Sequence, residues 1–88
     1  MHPAQDWFRS RYEGLRHIVD DALRLAAEVP DGALVAESLQ AAEAVIAVMD
    51  GMQIQWLLDD RVAMAPTVRR VIDMVVADLR NRVAELTP

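Results

Sequence analysis

The sequence predicts an all-α domain of three helices, and three observations carry that prediction. Apolar residues recur at helical spacing in three long segments. No segment alternates with the period of a strand. Proline- and Asp-Gly-containing breaks fall between the segments at the intervals of a small bundle. The expected helices cover about residues 4–28, 36–58 and 65–86 of a single 88-residue domain.

The first helix has its start marked by Pro3, whose fixed φ and missing N–H suit a first turn. Phe8, Tyr12, Leu15, Val19, Ala22, Leu23 and Ala26 make one apolar stripe, widened by Trp7, Ile18 and Leu25. Arg9, Glu13, Arg16, His17, Asp20, Asp21, Arg24 and Glu28 fall on the opposite, polar side. Gly14 lies at the edge of the stripe and costs about 1 kcal/mol relative to alanine in a helix interior. It either admits a close neighbour or is merely tolerated. Val29-Pro-Asp-Gly32 ends the helix, because proline cannot continue it and Asp-Gly is turn chemistry.

The second helix is the element around which the chain is arranged. Val45, Met49, Met52 and Trp56 share one face at about 100° per residue, Ala44, Val48 and Gln55 flank it, and Ala47, Ile54 and Leu58 cover the back. A helix that is apolar nearly all round is normally surrounded by protein. So short a chain has few elements to surround it with, and a second copy is expected to supply some contacts. Asp50, Gly51, Gln53 and Gln55 interrupt the segment, so it does not read as a membrane span. Ser38 is a candidate N-cap.

The third helix follows the connector Asp59-Asp-Arg-Val-Ala-Met64, with Pro66 in its first turn. Val68, Val71, Val75, Leu79 and Leu86 form its stripe, with Ile72, Val76 and Val83 beside it. Asp78 and Arg82 are an i,i+4 ion pair of the favourable order. The stripe suits bundle packing better than a long coiled coil.

Composition limits the possible functions. A chain of this length buries only roughly 60–65% of its unfolded surface, so its own core is marginal. Yet 53% of its residues are hydrophobic, which suggests an interface. There is no cysteine for a disulfide or thiolate metal site, and the net charge of −5 argues against a grip on nucleic acid. The opening Met-His-Pro-Ala-Gln-Asp lacks the pattern of a signal peptide, and the cytoplasm is the expected location. All nine cationic residues are arginine, which we ascribe to genome composition.

No reaction chemistry is evident. Glu43 and Asp50 share a stripe of the second helix, but neither His2 nor His17 completes a metal-binding pattern. Ser10, Ser38 and Thr67 have no histidine placed to activate them. The glycines at 14, 32 and 51 form no phosphate loop. A dimeric chorismate-mutase-like bundle would need arginines pointing inward. Here the second helix has none, and only Arg11 borders an apolar face. No cofactor and no enzyme activity are expected.

Two stretches carry a family resemblance. Ile46-Ala-Val-Met-Asp-Gly-Met-Gln-Ile-Gln-Trp-Leu-Leu-Asp59 resembles a hallmark stretch in the C-terminal regulatory domain of TetR-family transcriptional repressors. Many members read Asp-Gly-Leu-Gln-Leu-Gln-Trp-Leu-Leu-Asp in the penultimate long helix. His2-Pro-Ala-Gln-Asp-Trp-Phe-Arg-Ser-Arg-Tyr12 is similar to the opening of an earlier helix, and Pro30-Asp31 to the connector before the penultimate one. The resemblance spans essentially the whole chain but includes no helix-turn-helix.

The resemblance implies a homodimer in which the second and third helices of each subunit form an intermolecular four-helix bundle. With the stripe positions, it places Ile46, Asp50, Gln53, Leu57, Val68, Val71, Ile72, Val75 and Leu79 in the seam, with Gly51 permitting close approach. It implies a small apolar effector, near Trp7, Tyr12, Met49 and Trp56, and no direct DNA binding by this chain. The alternative expectation, from another class, is a free-standing helical interaction module with no ligand.

Overall fold

The computed structural model describes residues 3–86 and is all-helical there. Its three helices are α1 (Pro3–Ala26), α2 (Val35–Leu58) and α3 (Met64–Glu85). Each boundary lies within two residues of the one expected from periodicity and punctuation. The segment around Trp7 is continuous with α1.

The end of α1 differs from the expectation in an informative way. The helix stops at Ala26, before Glu28, because Glu28 takes a left-handed conformation with φ of 56°. Val29 N–H donates to the Arg24 carbonyl at 2.9 Å and Glu28 N–H to the Leu25 carbonyl at 3.2 Å. These are the six-to-one and five-to-two bonds of a Schellman motif, and Val29 supplies its apolar contact by burying itself in the core. The left-handed position, usually glycine, is here a glutamate.

The start of α2 corrects a second expectation. Ser38 is not the N-cap. That position belongs to Leu34, left-handed at φ 51°, with no side-chain cap. Ser38 lies a turn further on, fully buried, and its hydroxyl faces α1 instead. At the other end, Asp59 caps α2 with its backbone N–H, which donates to the Gln55 carbonyl at 2.9 Å. Its carboxylate holds Arg61 through Nε and Nη2, and accepts the Arg61 backbone N–H at 3.0 Å.

α1 and α3 each pack along α2 and hardly touch one another. The product is a flat fan of 48 × 38 × 14 Å, its thin dimension little more than the ~10–12 Å of one helix. Its radius of gyration is 15.1 Å, against roughly 12 Å for a compact domain of this length. The helices close at one end only. Leu23, Ala27 and Val29 meet Ala42 and Val45 of α2 and Leu79 of α3 there, with Val19, Val75, Val76 and Val83 packed around them. Arg80 ties α3 to the end of α1 through a 2.8 Å bond from Nη2 to the Ala26 carbonyl.

The α1–α2 boundary is more polar than the wheel suggests. Arg16, Asp20 and Arg24, assigned to the outward side of α1, form an i,i+4 row along α2. Arg16 pairs with Glu43 at 3.0 Å, while Asp20 and Arg24 both bond Ser38. Arg24 has both terminal nitrogens of its guanidinium bonded, whereas Arg16 holds Glu43 through Nη2 and leaves its Nε buried without a hydrogen-bond partner.

The fan leaves much of its apolar surface bare. Val19 and Leu23 use one edge of the α1 stripe against α2, but Phe8, Ile18 and Leu25 on the other edge are 65%, 68% and 82% exposed. α2 is enclosed on two sides rather than all round, and Ile54, Leu57 and Leu58 project into solvent. The accessible surface is 6604 Å2, against roughly 5,200 Å2 expected of a compact folded chain of this mass.

Candidate functional site

The open end of the fan holds two concavities. The first, about 510 Å3, lies between all three helices. α1 contributes Leu15, α2 contributes Met49, Asp50 and Gln53, and α3 contributes Met64, Ala65, Val68, Arg69 and Ile72. Its walls are chiefly apolar and open to solvent. The second, about 820 Å3, is a shallower cleft between α1 and α2, lined by Phe8, Arg11, Tyr12, Gly14, Leu15, Ile18, Ile46, Asp50 and Gln53. Leu15, Asp50 and Gln53 border both, so the two concavities share a wall.

This geometry follows from helix divergence. At the closed end Leu23, Ala42, Val45 and Leu79 pack into one buried cluster. At the open end the facing positions carry Met49, Gln53, Met64 and Leu15, and the helices part around them. Methionine suits such a lining, because its flexible thioether adapts to different occupants. Asp50, Gln53 and Arg69 are the polar groups on the rim. A volume near 500 Å3 suits a small ligand, but ligand sites bury most of their occupant, and this concavity lacks an outer wall.

The expected ligand residues do not converge. Met49 lines the first concavity and Tyr12 the second. Trp7 instead stacks edge-on against Phe8, with ring centroids 4.9 Å apart, and carries the Arg11 guanidinium 4.8 Å above its ring. Trp56, near the end of α2, is 45% exposed and borders neither concavity.

The expected seam residues divide into three groups. Ile46 and Leu79 are only 2% and 1% exposed, so the protomer itself uses them. Asp50, Gln53, Val68 and Ile72 come together around the first concavity. Leu57 is 77% exposed, while Val71 and Val75 are half-buried on α3. Gly51 has no close contact to protect: a methyl group added there would meet nothing within 4 Å in the protomer.

Sequence reasoning missed the participation of Leu15 and Arg69. The i,i+4 spacing of Ala65 and Arg69 signalled their common side of α3, but not which side faces the gap. Among the described residues, no group of three or more histidine, aspartate or glutamate side chains is placed to hold a metal ion. No described helix is long and apolar enough to cross a membrane. The arrangement is suited to receiving an apolar body, whether a molecule or the side chains of another helix. No protein-family profile, curated protein or solved structure matches this chain.

Proposed function

We propose that this chain is the dimerisation and effector-binding portion of a TetR-like bacterial transcriptional regulator, acting in the cytoplasm. The observation that carries this reading is the open, one-helix-deep fan. A first concavity with no outer wall lies beside exposed Leu57, and half-buried Val71 and Val75 lie on α3. A second copy laid against α2 and α3 would cover the bare apolar surface and complete that wall. The excess accessible area, about 1,400 Å2, is more than the ~800 Å2 per partner of a standard interface. An apolar effector held there would bias the relative placement of the two subunits, and hence of DNA-binding heads attached to them. The acidic chain itself makes no phosphate contacts in this reading.

The dispersal of Trp7, Tyr12, Met49 and Trp56 favours a second reading, a helical interaction module without a ligand. Two measurements test both. Light scattering should give a dimer or a larger species for the native chain at micromolar concentration and a smaller, folded species for Leu57→Glu with Val71→Glu. A native monomer would refute dimerisation. Native mass spectrometry of the dimer should reveal a co-purified small molecule or uptake of an apolar probe. A dimer that takes up neither would select the interaction module.

A further inference from the structure

The surface that α2 and α3 leave bare includes an exposed face of α1, bordering the second concavity at Arg11, Gly14 and Ile18, and this face carries a regular seam. Trp7, Arg11, Gly14, Ile18, Asp21 and Leu25 are spaced 4, 3, 4, 3 and 4 residues apart, the a/d spacing of a helix-pairing seam. All six are exposed, and they span roughly 27 Å of helix at 1.5 Å per residue.

The seam is complementary to itself when reversed. Pairing two copies antiparallel about a two-fold axis beside residue 16 sets Trp7 against Leu25, Arg11 against Asp21 and Gly14 against Ile18. Each match occurs twice, as two-fold symmetry requires. Charge meets opposite charge, and the branched Ile18, 68% exposed, meets a glycine. A methyl group added at Gly14 would meet nothing within 4 Å, so space for the neighbour is present. Asp21 forms no ion pair among the described residues, and Arg11 lies over Trp7, close to the seam.

The geometry points to a second self-association surface: α1 pairs antiparallel with α1 of another copy through the Trp7–Leu25 seam, with Arg11 facing Asp21 across the axis. This surface uses none of the α2 and α3 residues of the other proposed seam, although its Arg11, Gly14 and Ile18 border the cleft that Asp50 and Gln53 also line. Of the excess area of about 1,400 Å2, one standard interface of ~800 Å2 per partner leaves roughly 600 Å2, enough for a smaller second contact. Two different isologous surfaces on one chain would build a dimer of dimers or a longer array.

The chain contains no cysteine, so disulfide trapping is clean. Arg11→Cys and Asp21→Cys proteins are oxidised separately and as a mixture, with copper-phenanthroline as oxidant. The mixture should yield a covalent Cys–Cys dimer that neither protein forms alone. The link should persist when Leu57→Glu and Val71→Glu are added, which isolates this surface from the proposed α2–α3 seam. By sedimentation in that same background, Arg11→Asp and Asp21→Arg should each weaken α1 pairing by about tenfold or more, and the two together should restore it. No link in the mixture, equal linking in either protein alone, or a double swap no better than the singles would overturn the pairing. A face covered by a different partner gives the first of these outcomes. Circular dichroism of each variant checks that it remains folded, and the paired charge swap keeps the test decisive if one single variant does not.

Discussion

Ser38 Oγ donates to Asp20 Oδ1 at 2.5 Å while accepting from Arg24 Nη1 at 2.9 Å, so one fully buried hydroxyl joins two charged residues of α1 to α2. Arg24 extends the connection by donating from Nη2 to the Pro30 carbonyl, which fastens the interhelical turn as well. A polar group this deep is tolerated because its donor and its acceptor capacity are both used.

Ser38→Ala is therefore expected to destabilise the protomer by about 1–3 kcal/mol, since it leaves Asp20 and Arg24 without their shared partner. Urea unfolding followed by circular dichroism measures this. A loss below about 0.5 kcal/mol would mean that water replaces the hydroxyl without cost.

In the proposed dimer, Leu79 and Leu57 separate folding from association. Leu79→Ala removes a fully packed core side chain and should cost about 2–5 kcal/mol of protomer stability. Leu57→Ala, at a largely exposed position, should leave the protomer's stability within about 0.5 kcal/mol but raise the dimer dissociation constant. Concentration-dependent melts distinguish the two: only the second effect should fade on dilution.

Glu28→Gly should stabilise the chain by about 0.5–1 kcal/mol. Glycine adopts the left-handed conformation at this position without the steric cost borne by a side chain. Glu28 is exposed, so little packing is lost. A thermal melt that shifts downward would show that the glutamate contributes more than its backbone conformation costs.

Asp59 sets an acid dependence at the α2–α3 connector. The side-chain hydrogen bonds from Arg61, helped by its backbone N–H, hold the Asp59 carboxyl below its ordinary value of 3.8. A carboxyl lowered on folding contributes stability above its unfolded value, and that contribution is lost as pH falls through the folded one. The effect belongs below pH 3.8, with no change near neutrality. NMR titration of the Asp59 carboxyl and the Arg61 amide should show both moving together in that range, and Arg61→Ala should return the carboxyl towards its ordinary value.

The sequence by itself determined the three helices. Their apolar periodicity, together with Pro3, Pro30 and Pro66, is a local property, and local rules locate helices well. The Asp78–Arg82 pair, 2.9 Å apart, was legible for the same reason, being an i,i+4 contact on one helix. The TetR-like stretch from Ile46 to Asp59 supplied the functional expectation, but a linear motif does not say which of its side chains stay free.

Tertiary packing decided that. Periodicity makes a stripe visible, but stripe width does not reveal how much of it a neighbour covers. Ile46 and Leu79 went into the protomer, while Leu57, on the same central helix as Ile46, stayed outside. Ser38 turned from an expected cap into a bridge, because α1 brought Asp20 and Arg24 within reach. The concavity at Met49 and Val68 exists because the helices diverge from the packed end at Leu23, Ala42, Val45 and Leu79. Divergence between helices depends on residues far apart in sequence, so it becomes visible only in the assembled fold.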